Sequence, residues 1–266
     1  LATLIKLVHK ALALASVGDF ESAEAILSLT SDGGVRHNRR SAIALAQILS
    51  QLERNEDALT LMNTVVGGQR DPRLEQIRAD LTAGKTLPYD AVRTPKEGIA
   101  EVFFLLGGAL RGETPDGYTL LYMRAAQELR PNDTEILLVI ADLLDDIGRY
   151  ALSHDAYAQV STDDPAYIEA ELGRADALRR SGKEAQAVEV LEQLTRSHGT
   201  LPVVYSTLGD VLRAQDDFDG AIAAYDTAID LAPENTPVRW VLYYSRGIAH
   251  ERSGNDTASE VDYFVG

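Results

Sequence analysis

Residues 202–235 read PVVYSTLGDVLRAQDDFDGAIAAYDTAIDLAPEN, and this stretch decides the fold. Its apolar residues recur at spacings of three and four, which is the period of one face of an α-helix. They form two series: Tyr205, Leu208 and Leu212, then Ala221, Tyr225 and Ala228. The stretch therefore predicts two amphipathic helices joined by a short polar turn. A single helical hairpin cannot bury its apolar face, so we also expect neighbouring hairpins that stack against it.

The hairpin pattern recurs along the chain with a period of 34 residues. Pro131 and Pro165 are 34 residues apart, Pro233 follows after a further 68, and Gly199 stands at the position between them. Glycine, like proline, is typical of helix ends. The same place in successive units is taken by Leu110, Leu144, Leu178 and Leu212. This phase predicts helix pairs that start near residues 100, 134, 168, 202 and 240, with the last pair truncated at residue 266.

The unit at 202–235 resembles the tetratricopeptide repeat (TPR), whose pattern has Leu-Gly in the first helix, Ala in the second helix and Pro at the end. Leu208-Gly209, Ala221 and Pro233 stand at those places. The resemblance implies an all-α TPR α-solenoid, a right-handed superhelix of antiparallel helix pairs. It also implies a chain that binds other proteins and has no catalytic residues of its own.

The segments 208–213 and 240–252 are similar to a group of long bacterial TPR proteins, which usually carry an export signal and further repeats. The likeness covers about residues 96–266 and is weaker before them. It implies a periplasmic or cell-envelope location, with the cytoplasm as the other possibility. The chain begins at Leu1 and stops inside the second helix of a repeat. We therefore expect a fragment of a longer protein, with further repeats of the same chain.

The part of the chain before residue 100 is less regular. Two looser helix pairs, which start at Leu4 and Arg39, occupy residues 1–72. Residues 73–99 are predicted to form a helix and a loop, a junction before the TPR array at 100–266. Capping boxes, in which a side chain at the helix start accepts a backbone N–H, are predicted at Thr94–Glu97 and Ser181–Glu184.

The charge of the chain excludes some classes of partner. With 41 acidic and 25 basic residues, the formal net charge is -16, so phosphate backbones and anionic lipids are repelled and no nucleic-acid partner is expected. The one basic stretch, residues 36–40, is expected to be a solvated loop. The longest apolar stretch, Val102 to Leu110, is too short to span a bilayer, which needs about 20 residues. We expect no membrane insertion by this fragment.

The sequence indicates no catalytic, metal or cofactor site. No pair of its five histidines has the spacing of metal ligands, and cysteine is absent. Residues 215–226 match a calcium loop in part, because Asp217, Asp219 and Gly220 fit the required positions. Gln215 and Asp226, at the first and last positions, do not fit, since a calcium loop needs Asp and Glu there. We therefore predict a protein that is not an enzyme.

The repeat phase also predicts which side chains are buried. The expected core residues are Leu106, Leu110, Ala141, Leu144, Leu178, Leu208, Leu212, Ala221 and Tyr225. Small residues such as Gly209 are expected where the two helices of a pair approach closely.

Positions 2, 5, 9 and 12 of each first helix fall on one face, away from the packing positions, and the resemblance implies that this face lines a concave surface. The candidate partner-binding residues on or beside this face are Glu135, Asp142, Asp145, Asp146, Asp176, Arg179, Asp210 and Arg213. Asp176 can pair with Arg179 or Arg180, and Asp210 with Arg213, within their own helices. Within the helix that carries Asp142, Asp145 and Asp146, the sequence places no Lys or Arg, so the acidic focus is predicted there, continued by Glu135.

The acidic face predicts a protein or peptide partner of basic or mixed charge. In the TPR family, clamps for acidic peptides place Lys and Asn on this face, where Leu138 and Asp142 stand here. Three interpretations remain open. The chain is a non-catalytic scaffold or adaptor, or it is the regulatory, substrate-recruiting repeat region of a longer enzyme whose catalytic domain lies outside this sequence. On the third interpretation the acids of this face have no binding role and only keep a solvent-exposed surface soluble.

Overall fold

A computed structural model describes residues 2–32, 39–65, 71–234 and 236–265. Within these ranges the chain is built of helices without a β-strand, so the prediction of an all-α fold is confirmed. One isolated bridge, between Arg111 and Thr114, lies in the turn between two helices. No described helix has the length and apolar character needed to cross a membrane.

The described residues form fifteen helices. Their bounds are α1 Ala2–Ser16, α2 Phe20–Asp32, α3 Arg39–Gln51, α4 Asn55–Val65, α5 Pro72–Thr82, α6 Pro95–Leu110, α7 Asp116–Leu129, α8 Thr134–Asp146, α9 Tyr150–Tyr157, α10 Tyr167–Arg180, α11 Glu184–Ser197, α12 Pro202–Ala214, α13 Phe218–Leu231, α14 Pro237–Arg252 and α15 Asp256–Val265. The chain forms two compact units, Leu1–Val139 and Ile140–Gly266.

The first unit contains the helix pairs α1–α2, α3–α4 and α6–α7, with the single helix α5 packed on α4. Its core includes Leu27, Ile48 and Met62, which are fully buried. The segment between α5 and α6 has no helix of its own but is tied to this core. Leu87 is buried, and its backbone N–H donates to Ser50 Oγ at 2.8 Å.

The second unit contains the helix pairs α10–α11, α12–α13 and α14–α15. The first helices of these pairs are in contact in order, α10 with α12 and α12 with α14. Leu178, Leu191 and Tyr225 are fully buried between the helices. This stacking follows from the repeat, because each hairpin has an apolar face that only a neighbouring hairpin can cover.

The predicted starts of the first helices differ in accuracy. Helices α8, α10 and α12 begin at Thr134, Tyr167 and Pro202, within one residue of the predicted positions. Helix α14 begins three residues early, at Pro237. Helix α6 begins at Pro95 instead of 100, because Thr94 Oγ1 accepts the Glu97 N–H at 3.2 Å and caps the helix there. The division into 1–72, 73–99 and 100–266 stays a prediction.

The capping box predicted at Ser181–Glu184 is wrong. Lys183 is the N-cap of α11, and it makes no side-chain capping hydrogen bond. Ser181 lies at the end of α10, where its hydroxyl donates to the Leu178 carbonyl at 2.8 Å. Gly182 then turns the chain with a φ of 79°, a left-handed conformation that glycine adopts without strain.

The predicted core is correct for five residues and wrong for four. Ala141, Leu144, Leu178, Ala221 and Tyr225 are buried, whereas Leu106, Leu110, Leu208 and Leu212 are only half-buried. Leu208 packs against the cluster around Leu178, and Leu212 packs against the cluster around Tyr225. These two leucines therefore lie at the margins of the core, where one edge of the side chain stays in contact with solvent.

Candidate functional site

A tyrosine on the second helix of a pair holds a carboxylate on the first helix. The Tyr225 hydroxyl donates to Asp210 at 2.7 Å, from α13 to α12. Tyr157 donates to Asp142 in the same way at 2.8 Å, from α9 to α8. Both acids stand at position 9 of their units, and both tyrosines stand at position 24. The sequence contained this signal, because the same spacing of 15 residues occurs twice.

The described helix pairs α10–α11 and α14–α15 lack this Tyr–Asp hydrogen bond, because one of its two residues is replaced in each pair. Position 24 in α11 is Leu191, so Asp176 has no tyrosine and instead pairs with Arg179 at 2.6 Å. In α15, Tyr263 occupies position 24, but position 9 of α14 is Ile248. The Tyr263 hydroxyl therefore donates to Glu251 at 2.9 Å, one helical turn further along.

The intrahelical pairs predicted from the sequence are present. Asp176 lies 2.6 Å from Arg179 and 3.9 Å from Arg180, and Asp210 lies 3.3 Å from Arg213. All of these side chains are a third or more exposed. Each pair contributes ~1 kcal/mol or less to stability, because solvent screens the charges.

Asp145 has a cationic partner on a neighbouring helix, which the sequence did not reveal. Arg180 of α10 forms an ion pair with Asp145 of α8, and its guanidinium also lies 4.3 Å from the centre of the Tyr150 ring. Burial raises the pKa of Asp145; Arg180 opposes that rise, and the nearby carboxylates of Asp176, Asp146 and Asp142 add to it. These acids are therefore close enough to repel one another.

The basic stretch at 36–40 is not a solvated loop where it can be described. Residues 36–38 lie outside the described residues, whereas Arg39 and Arg40 begin α3. Arg40 donates to Asp133 at 2.8 Å and lies 2.9 Å from Glu101, and its guanidinium lies 4.2 Å from the centre of the Phe104 ring. A guanidinium can be buried in this way because several carboxylates compensate for its lost hydration.

Glu135 belongs to this buried charge cluster of the first unit. It lies 3.1 Å from Arg39 and 3.4 Å from Arg40. Burial raises its pKa, although both arginines oppose the rise. The structure therefore places Glu135 in an ion-pair network, whereas the sequence predicted an exposed continuation of the acidic focus.

The remaining candidate residues lie at the surface of the second unit. Asp142, Asp146 and Asp210 are exposed. Asp145, Asp176, Arg179 and Arg213 are half-buried. Asp145 and Asp176 are brought together by Arg180, which contacts both. We call the exposed side of α10, α12 and α14, with α8 from Ile140 onward, the first-helix face.

Sequence reasoning missed an apolar part of the first-helix face. Val203 is 47% exposed and Val241 is 44% exposed, and both stand at position 2 of their units. Trp240 is 51% exposed and Tyr244 is 52% exposed, on the same side of α14 as Val241. The signal was available, because positions 2 and 5 were assigned to this face, but only its charged residues were selected.

The stretch that resembles a calcium loop has a structural role. Asp217 is the N-cap of α13, and its carboxylate accepts the Gly220 N–H at 3.0 Å. Residues 218–226 then continue as helix. Across the described ranges, no group of three acidic or histidine side chains is arranged to hold a metal ion.

Comparison with known families agrees with the repeat seen in the second unit. The tetratricopeptide-repeat family matches residues 138–202 and again residues 202–235. Residues 138–235 of the chain are therefore tetratricopeptide repeats. TPR arrays are typically non-catalytic and present extended surfaces for binding other proteins.

Two bacterial proteins are similar to this chain. The cytochrome c-type biogenesis protein CcmH of Escherichia coli (strain K12) is 30% identical over 175 residues, which are 62% of this chain and 50% of CcmH. Protein FlbA of Caulobacter vibrioides is 25% identical over 256 residues, which are 96% of this chain and 38% of FlbA. The chain thus spans half or less of the length of these relatives.

Solved structures of MamA proteins share the fold. One crystal structure of MamA has a TM-score of 0.52 and 22% identity, and covers 63% of this chain and 88% of that one. Residues 41 to the end of MamA from Desulfovibrio magneticus RS-1 have a TM-score of 0.53 and 18% identity, over 65% of this chain and 94% of that one. Together with the family match, this likeness confirms the predicted TPR solenoid class.

Proposed function

We propose that this TPR chain is a non-catalytic scaffold that binds a peptide or partner protein on its first-helix face, the concave face of a TPR array. The observation that carries the proposal is the way Asp142 and Asp210 are displayed. Both carboxylates are exposed, and both are held from behind by a tyrosine hydroxyl of the second helix. The packing of the hairpins thereby positions the groups that face a ligand.

A carboxylate that a hydrogen bond already keeps in one position is suited to binding a ligand. A flexible side chain loses about 0.5–1.5 kcal/mol of rotamer freedom when a ligand immobilises it. Because the hydrogen bond from Tyr157 already restricts the Asp142 side chain in the folded protein, part of this rotamer freedom is lost on folding, before a ligand binds. Acids that only solvated the surface would need no such partner, so the Tyr–Asp pairs favour a binding role over a purely solubilising one.

The charges favour a partner of basic or mixed character. At positions 9, 12 and 13 of the units that contain α8, α10, α12 and α14, the acids outnumber the arginines: Asp142, Asp145, Asp146, Asp176, Asp210 and Glu251 against Arg179, Arg180, Arg213 and Arg252. Together with the net charge of -16, this favours Lys or Arg in the ligand and disfavours nucleic acid.

The alternative is a regulatory or substrate-recruiting region of a longer enzyme. It is supported by the relatives, because the matched region is 50% of CcmH and 38% of FlbA. The location proposed from the resemblance is the cell envelope, with the cytoplasm as the other possibility. The likeness to a cytochrome c-type biogenesis protein of E. coli is compatible with the envelope.

The test uses a charge change that preserves packing. In the double variant Asp142→Asn/Asp210→Asn, the amide oxygen still accepts the tyrosine hydroxyl, but both charges are lost. Asp145 is left unchanged because it pairs with Arg180. The matched control is Glu189→Gln/Asp230→Asn, two exposed acids on the second helices α11 and α13.

Partners are cross-linked to the tagged protein in the producing organism, identified, purified and titrated against each variant. We expect about tenfold weaker binding for the first-helix variant, with a smaller loss of affinity as salt rises, and no change for the control. Equal affinity and equal salt dependence for both variants would mean that the acids only solvate the surface.

A further inference from the structure

We infer that the partner segment is an extended peptide in which apolar and basic side chains alternate, because α12 and α14 expose apolar side chains near their N-terminal ends and the carboxylates Asp210 and Glu251 nearer their C-terminal ends. This inference rests on the proposed function and specifies its ligand. The two valines of the apolar edge stand at position 2 of their units, and Asp142 and Asp210 of the acidic edge stand at position 9.

The apolar edge lies at the N-terminal ends of α12 and α14. It consists of Val203, Trp240, Val241 and Tyr244, each between 44% and 52% exposed. The Tyr244 ring lies 5.7 Å from the Tyr263 ring, and the Tyr263 hydroxyl is in turn bonded to Glu251. A large aromatic ring held in place at an exposed surface is a typical anchor for a binding partner.

The acidic edge lies nearer the C-terminal ends of the same helices. Asp210 and Glu251 are both exposed there, and Asp142 is the equivalent residue of α8. Among the described residues, Asp142 and Glu251 accept hydrogen bonds from tyrosine hydroxyls but form no ion pair. A Lys or Arg of the ligand can form such an ion pair with these carboxylates, and this charge complementarity favours a basic partner.

The distance between the two edges fits an extended chain. Val203 and Asp210 of α12 are seven residues apart, about 10 Å along the helix at 1.5 Å per residue, and Val241 and Glu251 of α14 are ten residues apart, about 15 Å. Successive side chains of an extended peptide point to opposite sides. A peptide that crosses α12 and α14 therefore directs every second side chain to the valines and the others to the acids. A second copy of this chain fits less well, because its net charge of -16 has the same sign as the face.

Trp240 provides a direct probe, since it is the one tryptophan of the chain and lies on the apolar edge. Three tryptophan-free synthetic peptides of equal length are titrated into the full chain: alternating Leu and Lys, alternating Ser and Lys, and alternating Leu and Glu. We expect the Leu/Lys peptide to shift the Trp240 emission to shorter wavelength and to bind at least about tenfold more tightly than either of the others.

Two pairs of substitutions locate the binding. Val203→Ser/Val241→Ser removes apolar surface from the face, and Val17→Ser/Val261→Ser is the control at two other exposed valines, which are 79% and 56% exposed. We expect the first pair and Asp142→Asn/Asp210→Asn each to weaken binding of the Leu/Lys peptide about tenfold. The control pair should bind as the unchanged protein does.

The outcomes separate the inference from the proposed function. If the Ser/Lys peptide binds as tightly as the Leu/Lys peptide and the acid variant weakens both, the alternating ligand is wrong and the scaffold stands. If peptides bind but neither face variant changes the affinity, both are wrong. If no peptide binds, the valine variant is titrated with the partner recovered by cross-linking, and unchanged affinity overturns the inference. A Trp240 shift caused by protein concentration alone would identify a second copy as the occupant and overturn it too.

Discussion

The Tyr225 hydroxyl donates a hydrogen bond to Asp210 at 2.7 Å, across the pair formed by α12 and α13. Its ring lies against Gly209, and a Cβ added to that glycine would come within 2.7 Å of the ring carbon Cε1. One side chain thus fills the closest approach of the two helices and holds a carboxylate at the surface. Packing inside the hairpin and the display of charge outside it depend on the same residue.

Gly209→Ala should destabilise the protein. Tyr225 is fully buried and cannot move away from the added methyl group, so we expect a loss of ~1–3 kcal/mol in the free energy of unfolding. Gly108→Ala is the matched control, because it is also helical but has no atom within 4 Å of the added Cβ. The control should gain up to about 1 kcal/mol from helix propensity. Urea denaturation measures both, and equal changes would contradict the close approach.

Tyr225→Phe should separate the hydrogen bond from the packing. The ring remains, but Asp210 loses the hydroxyl that holds it. We expect a loss of ~1 kcal/mol in stability, since Asp210 is about half exposed and can be hydrated instead. Tyr118→Phe, at an exposed tyrosine, should change stability by less than about 0.5 kcal/mol. Thermal denaturation compares them, and an unchanged Tyr225→Phe variant would mean that the hydrogen bond contributes nothing.

Stability should fall at alkaline pH. Burial raises the pKa of Tyr157, and the carboxylate of Asp142 raises it further. Burial also raises the pKa of Tyr225. An unfolded tyrosine loses its proton near pH 10, so above about pH 10 the unfolded state binds fewer protons than the folded state, and its free energy falls relative to that of the folded state. The two protonated tyrosines therefore contribute to the free energy of unfolding below about pH 10, and this contribution is lost as the pH rises further.

The free energy of unfolding, measured from neutral pH to about pH 11, should therefore decline above about pH 10. In Tyr157→Phe/Tyr225→Phe the decline should be shallower, because two of the tyrosines responsible are absent. Phenolate absorbance should rise together with unfolding. Phenolate formation without any loss of helical signal would show that these hydroxyls are not protected by the fold.

Arg40→Met should be the most damaging arginine substitution in the first unit. It leaves Glu101 and Asp133 buried without their closest cation, and breaking a buried pair in this way costs ~3–5 kcal/mol. Arg54→Met removes an exposed pair with Asp57 and should cost less than about 1 kcal/mol. Hydrogen exchange in α3 measures the loss locally. Similar protection in both variants would contradict the buried cluster.

Much of the fold could be predicted from the sequence because the repeat itself encodes it. The period of 34 residues and the spacing of apolar residues place α12 at Pro202 without any other information. The start of α6 was also encoded, but in a different signal. Thr94 and Pro95 define the helix start locally, and this local signal overrides the period.

The ionic contacts could not be predicted, because they join residues far apart in the sequence. Arg40 and Asp133 are 93 residues apart, and Arg180 and Asp145 are 35 apart. No pattern in the sequence indicates that a basic stretch will be buried against acids of other helices. The pairing of Tyr157 with Asp142 is an intermediate case. Its spacing recurs at Tyr225 and Asp210, so the repeat comparison contained it, although only the charges were considered.

The first-helix face is tested most directly by NMR mapping of a bound ligand on the isotope-labelled full chain. The ligand is the Leu/Lys peptide or the partner recovered by cross-linking. We predict that the largest changes in amide signals fall on α8, α12 and α14, at Asp142, Asp210 and Val241, together with the indole N–H of Trp240. Changes concentrated on the second helices α11 and α13, with the Trp240 signal unmoved, would contradict the proposed binding surface.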